Sequence, residues 1–151
     1  MMDFSAFQAW LHVALVHVPV VLSPLAIFLL VRSWRDQHTQ DLRLSHGLIL
    51  LCAITATVAY FTGPTTVEWW QDKIDLNQEA IEDHGLWGRI SFTIMALAGA
   101  GSLIALLSDL QDEPVHPSVE KVVLVLLATG CACMIWTAHL GGLLRRPELA
   151  F

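Results

Sequence analysis

Residues 9–31 read Ala9-Trp-Leu-His12-Val-Ala-Leu-Val-His17-Val-Pro19-Val-Val-Leu-Ser-Pro24-Leu-Ala-Ile-Phe-Leu-Leu-Val31, 23 residues without a formal charge. At a rise of about 1.5 Å per residue, a helix of this length crosses a hydrocarbon core of about 30 Å. A span that only anchors needs nothing beyond Leu, Val and Ile. This one carries two imidazoles and two prolines. An ionisable ring inside a bilayer is costly, so His12 and His17 are functional candidates from the outset. Pro19 and Pro24 each lack a backbone donor, which frees the carbonyls of Leu15 and Val20. Freed carbonyls at membrane depth must find partners in a bundle, a cavity or a cofactor pocket.

The rest of the chain supplies such a bundle. Four apolar runs, at about 8–31, 46–63, 85–107 and 119–144, predict four transmembrane helices in one domain covering residues 1–151. Of the 151 residues 55% are hydrophobic and 15% charged, and the mean hydropathy is +0.58. A soluble domain is nearer a quarter charged, so the fold class is an all-α integral membrane four-helix bundle with the lipid bilayer as its first partner. The net charge of −6 excludes a nucleic-acid binder. Cys52, Cys131 and Cys133 all lie in apolar runs and read as small buried hydrophobes. The opening Met-Met-Asp-Phe lacks a basic region and a cleavage signal, so the first span is expected to stay in place.

Three connections join the runs. Residues 32–45 carry Arg32, Arg35 and Arg43. In 63–83, Gly63-Pro64 predicts a helix stop, followed by an amphipathic surface segment bearing Trp69 and Trp70. The third, 108–118, offers Ser118 as a helix cap. Lys and Arg divide four against four between the two sides, but the first span has none before it and three after it. The bias around the first helix puts the first connection in the cytoplasm and both termini outside.

Depth along the spans sorts the histidines. Counting from the outer edge, His12 lies about 6 Å in, His17 about 14 Å and His139 about 7 Å. His84 falls at the outer mouth of the third span, His46 near the opposite edge, and His38 and His116 in connections. Helical side chains lean toward the N-terminus, so His17 and His139, on antiparallel spans, lean toward a common depth. They are the favoured axial pair, with His12 and His84 as a second pair or as pocket residues.

Several imidazoles from different helices at one level suit haem b, whose iron takes axial histidines from either side. Gly141 and Gly142 beside His139 would admit a flat ring, and Arg89 and Arg145 could pair with propionates. The candidate metal ligands are therefore His12, His17, His84 and His139, for one or two haems, with a quinone as a further candidate ligand. The spans place no Asp or Glu midway, Glu120 lying at the very start of the fourth, and this argues against a proton pump or cation transporter. The competing expectation is a cofactor-free structural or assembly subunit whose histidines satisfy backbone groups. A small metal or solute permease ranks third.

Three stretches together resemble a family: His12-Val-Ala-Leu-Val-His17-Val-Pro19, the run from Gly47 to Gly63 with Trp69 beyond it, and His139-Leu-Gly-Gly142. The chain looks like a family of uncharacterised bacterial four-helix membrane domains. That family has His-Pro-x-x-x-His-Phe-Pro in helix one, a small-residue helix ending in Gly, a His opening helix three and Gly-Gly closing helix four. Val13 and Val18 depart from its Pro and Phe. The resemblance marks His12, His17, His84 and His139. Family members often occur fused to or beside c-type cytochromes, and this implies a bacterial inner-membrane redox setting. It further implies other subunits of a redox complex, or a separate c-type cytochrome, as partners. The function expected is that of a membrane b-type cytochrome subunit passing electrons between the quinone pool and a periplasmic redox partner. Whether such a subunit takes part in an enzyme is left open.

Overall fold

The structure is a computed structural model describing residues 3–113 and 115–146. Five helices form four spans: α1 (Phe4–Leu15) and α2 (His17–Asp36), then α3 (Thr39–Gln71), α4 (Gln78–Leu110) and α5 (Pro117–Arg145). The described residues contain no strand. Each span is long and apolar enough to cross a membrane, and the chain is a multi-pass, all-α four-helix bundle. At about 1.5 Å per residue the 33-residue helices measure about 50 Å, so their polar ends project well beyond the apolar layer.

The helices therefore run past the apolar segments that betray them. Between α2 and α3 only Gln37 and His38 remain, with Gln37 in the left-handed region at φ 57°. The expected stop at Gly63-Pro64 is corrected: α3 continues through Pro64 to Gln71, and Trp69 and Trp70 ride on its last turn, not on a separate surface segment. Helix is the cheapest way to pair backbone groups where water is scarce, and the hydroxyls on either side of Pro64 fold back onto carbonyls of their own helix. Thr62 Oγ1 donates to Val58 O at 2.8 Å and Thr66 Oγ1 to Thr62 O at 2.8 Å. The cap expected at Ser118 belongs to His116, whose Nδ1 accepts from the Ser118 N–H, with Pro117 opening α5.

The core is built from α2 to α5: Ala26, Ile49, Cys52, Ala56, Met95, Ala98, Val123 and Leu127. Small residues bring the backbones together, the usual device where lipid is as apolar as leucine. A Cβ added at Gly99 would overlap that of Ala53, and one at Gly130 would lie 2.7 Å from Met95 Sδ. Large apolar side chains such as Val21, Phe28, Ile54, Phe61, Ile104 and Val125 are exposed, forming the outer skin that meets lipid. Cys52 and Cys131 are buried as expected, and Cys133 is half-buried.

The first span is interrupted at Val16, beside His17 and Pro19. Below that break α2 packs on α3 and α5. Above it α1 packs on α3 and the start of α2, with at most marginal contact to α4 or α5. The bundle is thus closed around the connection end, whereas its terminal end has a seam between α1 and α5.

Candidate histidine site at the terminal end

His12 on α1 and His84 on α4 meet at this seam, their ring centroids 6.5 Å apart and the planes at 77°. Each ring is half-buried and held by a carbonyl of a neighbouring helix. His12 Nδ1 is 2.7 Å from Ala59 O on α3, and His84 Nδ1 is 3.1 Å from Thr137 O on α5. A carbonyl can only accept, so both Nδ1 atoms carry the proton. In the neutral ring each Nε2 keeps its lone pair, the state in which imidazole binds a metal. Both rings rest against glycines. A Cβ added at Gly63 would lie 3.6 Å from His12 Cε1, and one at Gly141 would lie 3.0 Å from His84 Cε1.

The surrounding groups fix the anchors. Thr137, whose carbonyl holds His84, accepts a 2.8 Å hydrogen bond from Ser91 Oγ on α4 and donates its own hydroxyl to Cys133 O at 2.8 Å. Ala59 O also receives Thr62 Oγ1 at 3.1 Å. Tyr60 and Phe92 stack with centroids 4.6 Å apart, and Trp87 and Trp136 meet edge-on at 6.4 Å.

The other expected residues are placed as follows. His17 is exposed, and its Nδ1–H donates to Val13 O at 2.7 Å across the α1–α2 break. His139 is exposed and packs on Trp136 with centroids 5.5 Å apart. Arg145 lies over the Trp70 ring at 3.7 Å, and Arg89 is exposed on α4. Gly141 backs His84, while a Cβ at Gly142 would meet open space. His46 is at the opposite end of the bundle, as its position in the sequence implies. Among the described residues no three His, Cys, Asp or Glu side chains converge to hold a metal ion.

Sequence reading gave no weight to Ala59, Ser91 or Thr137, and took Gly63 for a helix stop or packing position. Their contributions are carbonyls, a hydroxyl pair and a missing side chain, none of which leaves a pattern in sequence. Comparison with known families, curated proteins and solved structures finds no match for the chain.

Proposed function

We propose that the protein is a membrane b-type cytochrome subunit that carries haem between His12 and His84 and relays electrons between the quinone pool and a periplasmic redox partner. The observation that carries this reading is the His12–His84 pair itself. Haem would be held by the Nε2 atoms of His12 and His84, the nitrogens that their carbonyl contacts leave open. The rings lie 6.5 Å apart with Nδ1 of each engaged on a carbonyl.

The donor set also favours haem over a bare ion. A zinc site needs three or four protein ligands, and the described residues offer no such group. A porphyrin brings its own four equatorial nitrogens and asks the protein for two axial ones. When bound, haem b supplies reversible one-electron chemistry. The chain's own part is to fix two ring orientations through Ala59 O and Thr137 O, with Gly63 and Gly141 letting each ring pack close against a neighbouring helix. The seam between α1 and α5 gives a flat group lateral access, and Arg89 and Arg145 provide cations near the terminal face.

The resemblance to the cytochrome-associated four-helix family supports the same setting. The location follows from it and from the charge bias: a bacterial inner membrane, with the termini periplasmic. The partners would be a quinone and a separate c-type cytochrome or other redox subunits.

The test is the spectrum of protein extracted in mild detergent from a haem-supplemented host. It should show a Soret band and the sharp reduced α and β bands of bis-histidine haem b. His12→Ala and His84→Ala should each abolish or strongly perturb those bands, and His38→Ala should leave them unchanged. His17→Ala and His139→Ala probe the pair favoured by depth alone, and loss of the spectrum there with retention in His84→Ala would move the centre. A colourless protein with no pyridine haemochrome would leave the histidines as backbone-satisfying groups of a structural subunit.

A further inference from the structure

The connection end of the bundle holds a second polar group that plays no part in the proposed haem site. His46, near the start of α3, is 2% exposed. Its Nδ1 lies 3.1 Å from the hydroxyl of Ser102, which is fully buried on α4. Its Nε2 is buried without a hydrogen-bond partner. The Ser102 hydroxyl can donate or accept, so either tautomer is open, and either leaves Nε2 with an unmet proton or lone pair. Such an orphan is costly unless water reaches it.

Space for water lies beside the ring, although less than 1 Å² of Nε2 itself is open to it. His46 forms part of the wall of a cavity of about 160 Å³, shared with Arg43, Ala105, Asp109, Glu113 and Glu120. At about 30 Å³ per molecule the volume admits roughly five waters, and the lining is polar enough to hold them. Arg43 Nε pairs with Asp109 Oδ2 at 2.6 Å across the rim, and Glu120 accepts from Trp34 Nε1 on α2. The charged groups facing the ring from the packed elements are thus Arg43 on α3, Asp109 on α4, Glu113 in the connection and Glu120 on α5. Three carboxylates against one guanidinium give the inlet a net negative charge, which concentrates cations at its mouth. No three ligating side chains among the described residues converge there on a metal ion. The cation this geometry serves is the proton.

We infer that the cavity is a water-filled inlet through which His46 exchanges protons with the membrane face carrying the first and third connections. When the cavity wall shifts enough to admit a water to Nε2, a hydronium ion entering from the mouth gives its proton to the Nε2 lone pair and leaves as water. The imidazolium keeps its Nδ1–H on Ser102 Oγ, and the surrounding carboxylates balance its charge. The return step is the reverse. Placed this way, the bundle has a protonatable group within reach of water at one end, whatever is bound at the other.

Two measurements on the full chain in lipid nanodiscs test this. The first follows the ring ¹⁵N signals of labelled histidine, with the His46 pair assigned by its loss in His46→Gln. Those signals should titrate reversibly between pH 5 and 8, the range in which histidine changes charge. Ala105→Leu, which fills the cavity while sparing the ring, should abolish that response. The second compares single thiols in a cysteine-free background, using a charged methanethiosulfonate reagent that reacts only in water. Ala105→Cys, at a site 3% exposed, should react at least tenfold faster than Ile104→Cys, at a site 57% exposed toward the lipid side. A His46 ring that stays unchanged through pH 5 overturns the inference. So does a thiol at 104 that reacts as fast as the one at 105, because the cavity would then be dry.

Discussion

Replacing His12 and His84 singly and together separates a shared ligand centre from two independent structural rings. Each ring donates to a different carbonyl, Ala59 O or Thr137 O, and the two touch only edge to face. A side-chain hydrogen bond within a membrane contributes about 0.6 kcal/mol on average and at most about 1.7. Ring contact adds coupling of about 0.5–1.5 kcal/mol. Two rings that merely satisfy carbonyls therefore lose stability almost additively, with coupling no larger than about 1.5 kcal/mol. A centre saturated a thousandfold above its dissociation constant stabilises the fold by about 4 kcal/mol. Either single substitution forfeits that whole amount, so the double variant should fall about 4 kcal/mol short of the sum of the singles. Reversible unfolding in mixed micelles, followed by tryptophan fluorescence from Trp87 and Trp136, gives the four stabilities needed. In protein from haem-depleted cells the coupling should fall to that of the ring contact, no more than about 1.5 kcal/mol. Additivity to within about 1.5 kcal/mol in haem-replete protein would refute the shared centre.

At the α3–α4 contact, Gly99→Ala sets a methyl against Ala53 and should destabilise by about 1–3 kcal/mol, with much of the loss restored by adding Ala53→Gly. Asn77 caps α4 by accepting from the Ala80 N–H, so Asn77→Ala should cost about 1 kcal/mol and loosen amide-exchange protection in the turn leading to His84. Single thiols at residues 38 and 75 lie at opposite ends of the bundle and should label from opposite sides of the membrane. The charge bias expects residue 75 to be labelled in intact cells, and labelling of residue 38 instead would invert the orientation.

Composition alone disclosed the four spans, because four long apolar runs have no other way to be covered. The helix ends were harder. Gly63-Pro64 has the chemistry of a stop in water, yet α3 passes through it, since a helix ending at membrane depth would strand carbonyls that no solvent can reach. Pairing of the histidines was harder still. Residue counts fix depth well, and they placed four rings at one end. They say nothing about rotation, and helices apolar on nearly every face carry no stripe from which rotation can be read. The turn of α1 that directs His12 toward His84, and the exposure of His17 five residues on, are set by packing on α3 and by the break at Val16. Residue counts put His46 near the opposite edge, and only its burial and unpartnered Nε2 give it a role.

The interruption at Val16 divides the molecule into parts of unequal durability. The eight residues that make the core all come from α2 to α5, and α1 adds only Ala9 to the buried set. Releasing α1 would expose little apolar surface to anything but lipid, so it is the first element expected to detach as the protein breathes. The hinge lies at Val16, whose N–H still donates to His12 O, while Pro19 leaves Leu15 O without its helical donor. His12 travels with that leaf and His84 stays with the frame, so the distance between the two rings registers whether the leaf is shut.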